Sequence, residues 1–148
     1  MKLFFVLMIL GISLFSQNNL VVDLVPGNYS TDWELKISAD QLDIYSKYSD
    51  CSDPANGFYP EQILVKVTNK TSQKIYVYWE YETAYDGVPS TSSADERLVQ
   101  IQLEPNQTLE GTCHSIHEKK LGVFVRYIGQ QPVLSTLTLS NMNIYNLN

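Results

Sequence analysis

In "EQILVKVTNKTSQKIYVYWEYET", from Glu61 to Thr83, apolar side chains recur at every second position. That period admits a strand lying on a core and excludes a helix. Ile63, Val65 and Val67 share one side, and after the "NKTSQ" turn Ile75, Val77, Trp79 and Tyr81 share another, which reads as the clearest hairpin in the chain. "RLVQIQLE" repeats the pattern with Val99, Ile101 and Leu103, and "LGVFVRYIG" with Leu121, Val123, Val125 and Tyr127. Weaker strands are "LVVDLV" from Leu20, "WELKIS" from Trp33 and "LDIYSKY" from Leu42. In "STLTLSNMNIYNLN", Leu137 and Leu139 are in phase, whereas Met142 and Ile144 take the opposite parity, so a bulge is expected near Ser140 and Asn141. The longest polar loop is "YDGVPSTSSADE", from Tyr85. No segment sustains apolar residues at helical spacing, so little helix is expected. Short strands between regularly spaced turns predict an all-β fold, an immunoglobulin-like antiparallel β-sandwich of about seven to nine strands.

The first 16 residues are set apart. Lys2 precedes an apolar run from Leu3 to Phe15, then Ser16 and polar residues, the layout of a secretory signal peptide. The run is shorter than the roughly 20 residues that span a bilayer. We therefore read 1–16 as a signal peptide, although Leu14 sits where a small residue is preferred before the cut, and 17–148 as a single domain. The expected location is exported, periplasmic or extracellular. Loss of Lys2 takes the formal charge from −6 to −7. That sign, with Lys119–Lys120 the one adjacent basic pair, argues against nucleic acid and anionic lipid as partners. No membrane span is expected in the mature chain.

Cys51 and Cys113 are the whole thiol inventory. An even count in an exported chain favours a disulfide, which makes "YSDCSDPANGFYP" a stapled loop with Asp-Pro and Asn-Gly turns. Two metal readings compete with it. Asp50, Ser52, Asp53 and Asn56 offer oxygens for calcium but lack the spacing of an EF-hand loop. Cys113, His114 and His117, joined by Cys51, would suit zinc only with reduced thiols. A small hydrolase would have to be built around the Cys113–His117 loop, and no Gly-x-Ser-x-Gly elbow supplies a serine nucleophile. No cofactor is expected, and the chain is read as not an enzyme.

The aromatics are more informative. On "KIYVYWEYETAYDG", Tyr76, Tyr78 and Glu80 lie opposite Trp79, and Tyr85 lies near the turn. Side-by-side tyrosines on an exposed sheet face suit contact with another envelope or extracellular protein, or stacking on a carbohydrate. The same residues equally suit cross-strand packing that stabilises the sheet. Asn28, Asn69 and Asn106 stand in glycosylation sequons and also in turns.

Turns such as "LEPNQTLEG" recur in immunoglobulin-like sandwiches. Together "DCSDPANGFYPEQILVKVTNKTSQKIYV", "YDG", "LEPNQTLEGTC" and "LGVFVRYI" resemble a group of small secreted proteins from Bacteroidota, from about Tyr45 to the C-terminus. That group often carries a cysteine pair after the glycine of "YDG", where this chain has Val88, Pro89 and Ser90. The resemblance implies export and a sandwich fold. It carries no assigned activity.

Overall fold

The computed structural model describes residues 22–23, 30–113 and 119–147. Residues 1–16, expected to be a signal peptide, and Asn28, His114 and His117 lie outside the described residues. Two antiparallel sheets face each other across one apolar core. In the first, β10 (Leu134–Leu147) pairs on one side with β1 (Val22–Asp23) and on the other with β5 (Lys74–Tyr85). The far edge of β5 is shared by β6 (Val88–Pro89) and β7 (Leu98–Leu103). In the second sheet β2 (Glu34–Ser38), β3 (Leu42–Asp50) and β4 (Pro60–Asn69) lie in order. β8 (Thr108–Glu110) and β9 (Gly122–Tyr127) share the far edge of β4. The all-β sandwich is therefore as the alternation required. Ten strands occur among the described residues, more than the seven to nine expected, because the two-residue β6 and the three-residue β8 are too short to leave a period.

Inward residues come from the strands as their parity dictates. Trp79, Val77, Ile75 and Leu139 from one sheet meet Val65, Val67, Ile44 and Val125 from the other, all fully buried. The expected bulge is present. Pairing slips by one residue between Ser140 and Asn143, Asn141 adopts φ 52°, and Met142 thereby turns inward behind Leu139. Among the described residues helix is confined to short turns. The single turn α1 (Ala94–Arg97) is closed by a capping box between Ser93 and Glu96. Asp86 and Gly87, with φ 48° and 80°, form the tight turn between β5 and β6, where Asn/Asp-Gly pairs are favoured.

One expectation is overturned. β4 and β5 do not form a hairpin; they belong to different sheets, and the "NKTSQ" segment is a corner between layers. Both strands are central, and their apolar faces can each be buried only by facing one another across the core. The corner is built by Asn69, which is fully buried. Its Nδ2 donates to the carbonyls of Gln73 (2.8 Å), Glu104 (2.9 Å) and Leu103 (3.4 Å), while its Oδ1 accepts from the backbone N–H and hydroxyl of Thr71 (2.9 and 2.8 Å). Leu103 and Glu104 begin the second sheet-changing corner, from β7 to β8, so one amide holds both.

The opposite side of the sandwich is stitched by two tyrosines of β5. Tyr81 donates to the carbonyl of Lys120 (3.0 Å), and Tyr85 to that of Phe124 on edge strand β9 (2.7 Å). Cys51 and Cys113 are bridged. They follow β3 and β8 of the same sheet, whereas antibody domains place their bridge between the two sheets.

Candidate functional site

The outward face of β5 carries Tyr76, Tyr78 and Glu80, as the alternation placed them, and each is half-buried. Antiparallel pairing adds Tyr145 of β10 directly beside Tyr76, and Asn143 beside Tyr78. Tyr145 is 48% exposed, and its ring centroid lies 6.0 Å from that of Tyr78, nearly parallel to it, and 6.4 Å from that of Tyr76. On the other flank β7 places Gln102 beside Tyr76, Gln100 beside Tyr78 and Leu98 beside Glu80. Glu80 lies 4.0 Å from Arg97. The result is a row of three phenols bordered by amide side chains, on a face that contributes nothing to the core. Tyr145 is brought to this group only by the pairing of β10 with β5, a contact between distant parts of the chain.

Tyr85 does not join this group. It packs against the core, 6.4 Å from the ring of Phe124, and its hydroxyl serves the edge carbonyl of β9. Its odd position already set it on the other side of β5 from Tyr76 and Tyr78. Cys113, assigned both to a disulfide and to a zinc cluster, is in the disulfide, so no thiolate is available to a metal or a nucleophilic mechanism in this state. His114 and His117 lie outside the described residues. Among the described residues no three His, Cys, Asp or Glu side chains converge as a metal group. Asp50 accepts from the backbone N–H of Ser52 (2.9 Å), and Asp53 from Asn56 (2.7 Å), as turn residues do.

Two further constellations were not visible in the sequence. On the outer face of the second sheet, Lys47 and Lys66 lie 4.6 and 4.9 Å from the ring centroid of Trp33, and Lys66 lies 4.5 Å from that of Tyr45. At one end of the sandwich, Phe58, Tyr59, Tyr127 and Ile128 are all exposed. No helix among the described residues is long and apolar enough to cross a membrane.

Phenol ionisation reports on these environments. Burial raises the pKa of Tyr48, Tyr81 and Tyr85 above the ordinary value near 10, and a hydrogen bond with Tyr145 raises that of Tyr78. A folded value above the unfolded one means that the folded state holds the proton more tightly. The stabilisation is then complete below about pH 10 and is lost as pH rises through the folded value. We expect stability to fall above about pH 10, Tyr81 alone adding up to about 1.4 kcal/mol per pH unit. Tyrosinate absorbance should show a late fraction that appears together with unfolding and shrinks in Tyr81→Phe. Ionisation of every tyrosine in one step near the free value would contradict this burial.

Comparison with family models, curated proteins and solved structures finds no match to the chain. Function is therefore argued from the two-sheet sandwich and from the chemistry that its surfaces display.

Proposed function

We propose that the protein is an exported, non-catalytic binding module that contacts another envelope or extracellular protein through the face formed by Tyr76, Tyr78 and Tyr145. The observation that carries this reading is the row of three adjacent phenols on a solvent-facing sheet, with ring centroids 6.0 and 6.4 Å apart. Tyrosine supplies large, stiff contact area with a polar tip, and such residues are enriched among the energetic anchors of interfaces. Export is supported by the leader-like first 16 residues and by the bridge between Cys51 and Cys113. The Bacteroidota resemblance agrees with it. The absence of a free thiol in the bridged state supports a binding role over thiol catalysis.

A second reading, carbohydrate binding at the same face, is favoured by Gln100, Gln102 and Asn143, which the flanking strands place beside the phenols and whose amides can bond sugar hydroxyls. One pair of measurements separates the two. The Tyr76→Ala/Tyr78→Ala variant should cost about 1–2 kcal/mol of stability, the sum of its cross-strand pairs, and remain folded. Cross-linking in a native envelope preparation should give a defined protein adduct with the wild type and lose it by about tenfold or more with the variant. Retention on a glycan array that disappears in the variant, without any protein adduct, would transfer the face to carbohydrate. Unchanged behaviour in both assays would remove these tyrosines from the site.

A further inference from the structure

Five of the eight exposed large apolar side chains among the described residues, Phe58, Tyr59, Val88, Tyr127 and Ile128, gather at one end of the sandwich, away from the phenol row. Strand pairing puts them there. Pro60 opens β4 opposite Tyr127 at the close of β9, and the N–H of Ile128 donates to the carbonyl of Tyr59 (2.9 Å). β5 ends at the same pole, because Tyr85 reaches Phe124, and Val88 pairs with Tyr85 just beyond the turn. The apolar groups are held on short, well-bonded turns. Asp53 and Phe58 exchange two backbone hydrogen bonds (2.7 and 3.1 Å) around a 3₁₀ turn, Pro54–Asn56, and Asp86 exchanges backbone and side-chain bonds with Val133 (2.9 and 3.1 Å).

The described turns that carry these apolar groups are acidic. The segments 50–60, 86–92 and 127–133 contain Asp50, Asp53 and Asp86 and no lysine or arginine. Arg126, which directly precedes Tyr127, is engaged through Nε and Nη2 by the buried carboxylate of Glu61, whose pKa that contact lowers. At the opposite pole Lys70 and Lys74 are paired with Asp43 and Glu104 (3.1 and 2.7 Å), and the corners are polar. An apolar centre bordered by acids is complementary to an apolar side chain flanked by lysines or arginines, and such complementarity both selects the partner and speeds its arrival.

We infer that this pole is a second docking surface, independent of the phenol face, for a cationic segment of a partner protein that lays a large apolar side chain across the exposed side chains of Phe58, Tyr59, Tyr127 and Ile128. Loops at one end of a sandwich are well suited to this, since the sheets fix them while leaving their side chains free.

The test uses synthetic peptides with a leucine–phenylalanine centre flanked by lysines, the same centre flanked by glutamates, and a lysine-flanked peptide whose centre is serine. Backbone amide shifts of the full mature protein are followed by NMR. We expect the first peptide alone to bind saturably, to shift amides in 50–60, 86–89 and 127–133, and to weaken as salt is raised. Phe58→Ser/Ile128→Ser, at exposed positions, should raise its Kd about tenfold or more, whereas Tyr76→Ala/Tyr78→Ala should leave it unchanged. Equal binding of the glutamate-flanked or serine-centred peptide, shifts confined to another surface, or an unaltered Kd in the Phe58/Ile128 variant would overturn the inference. So would partition of the protein itself onto zwitterionic vesicles that the same variant abolishes, because the apolar pole would then belong to a lipid surface.

Discussion

Asn69→Ala is expected to destabilise the fold by about 3 kcal/mol or more, a large share of the 5–15 kcal/mol that holds a domain of this kind together. The wild-type amide satisfies three carbonyls and accepts two bonds from Thr71 while fully buried. Alanine removes all of these bonds at once: the carbonyl of Leu103 loses its partner in the buried part of the corner and those of Gln73 and Glu104 lose theirs where the corner is part-buried, at roughly 1–3 kcal/mol for each group truly orphaned. The consequence is structural as well as energetic, since Gln73 belongs to the corner from β4 to β5, and Leu103 and Glu104 to the corner from β7 to β8. Asn69→Asp is the sharper probe. It keeps the shape and the acceptor oxygens but replaces the donor with a second acceptor facing the same carbonyls, so it should be at least as damaging as alanine and should recover in part at acidic pH, where the carboxyl regains a proton. Urea unfolding of the three proteins measures this directly. A loss below about 1 kcal/mol in Asn69→Ala would mean that the corners are held by their backbone bonds alone. The same geometry has a corollary for the sequon at Asn69. Its amide nitrogen is occupied and buried, so the folded protein cannot present it to a glycosyl transferase, whereas Asn106 sits exposed in its turn with φ 58°.

The contrast between what was legible and what was not follows from the range of the interactions involved. Alternation at Ile63, Val65 and Val67, and again at Ile75, Val77 and Trp79, fixed which side of each strand is buried, because that is a local property of a pleated backbone. It did not fix which strand lies beside which. A five-residue polar turn suits a hairpin and a corner alike, and the deciding residue, Asn69, reveals itself only through contacts with Leu103 and Glu104, far along the chain. The bulge at Asn141 was readable because a change of parity is written into one short stretch, from Leu139 to Met142. The phenol row was half readable: Tyr76 and Tyr78 share a strand, but Tyr145 arrives by pairing with β10. The apolar pole was not readable at all, since Phe58 and Tyr59 meet Tyr127 and Ile128 only through the pairing of β4 with β9.

Removing the bridge, as Cys51→Ala/Cys113→Ala or by reduction, is expected to cost about 4 kcal/mol, comparable to the loss at Asn69. The two cysteines are separated by 62 positions, and tying them together deprives the unfolded chain of the conformations in which they are far apart. More than half of the described chain lies inside that loop, including β4, β5 and β7, which supply about half of the buried core. The effect should therefore act mainly on the unfolded state. The native strand signals should persist in the variant, while the urea midpoint falls and the m-value rises, because an unfolded chain released from the link exposes more surface. For a domain of this size the thermal midpoint should drop by roughly 10–15 °C. Intact mass before and after reductant should differ by two hydrogens, and the unreduced folded protein should resist thiol alkylation. If the variant instead unfolds within about 1 kcal/mol of the wild type, the link imposes no useful constraint and the two layers stand on their apolar core alone. If the native protein alkylates at both positions, the thiols are free, and the metal and nucleophile readings of Cys113 with His114 and His117 return.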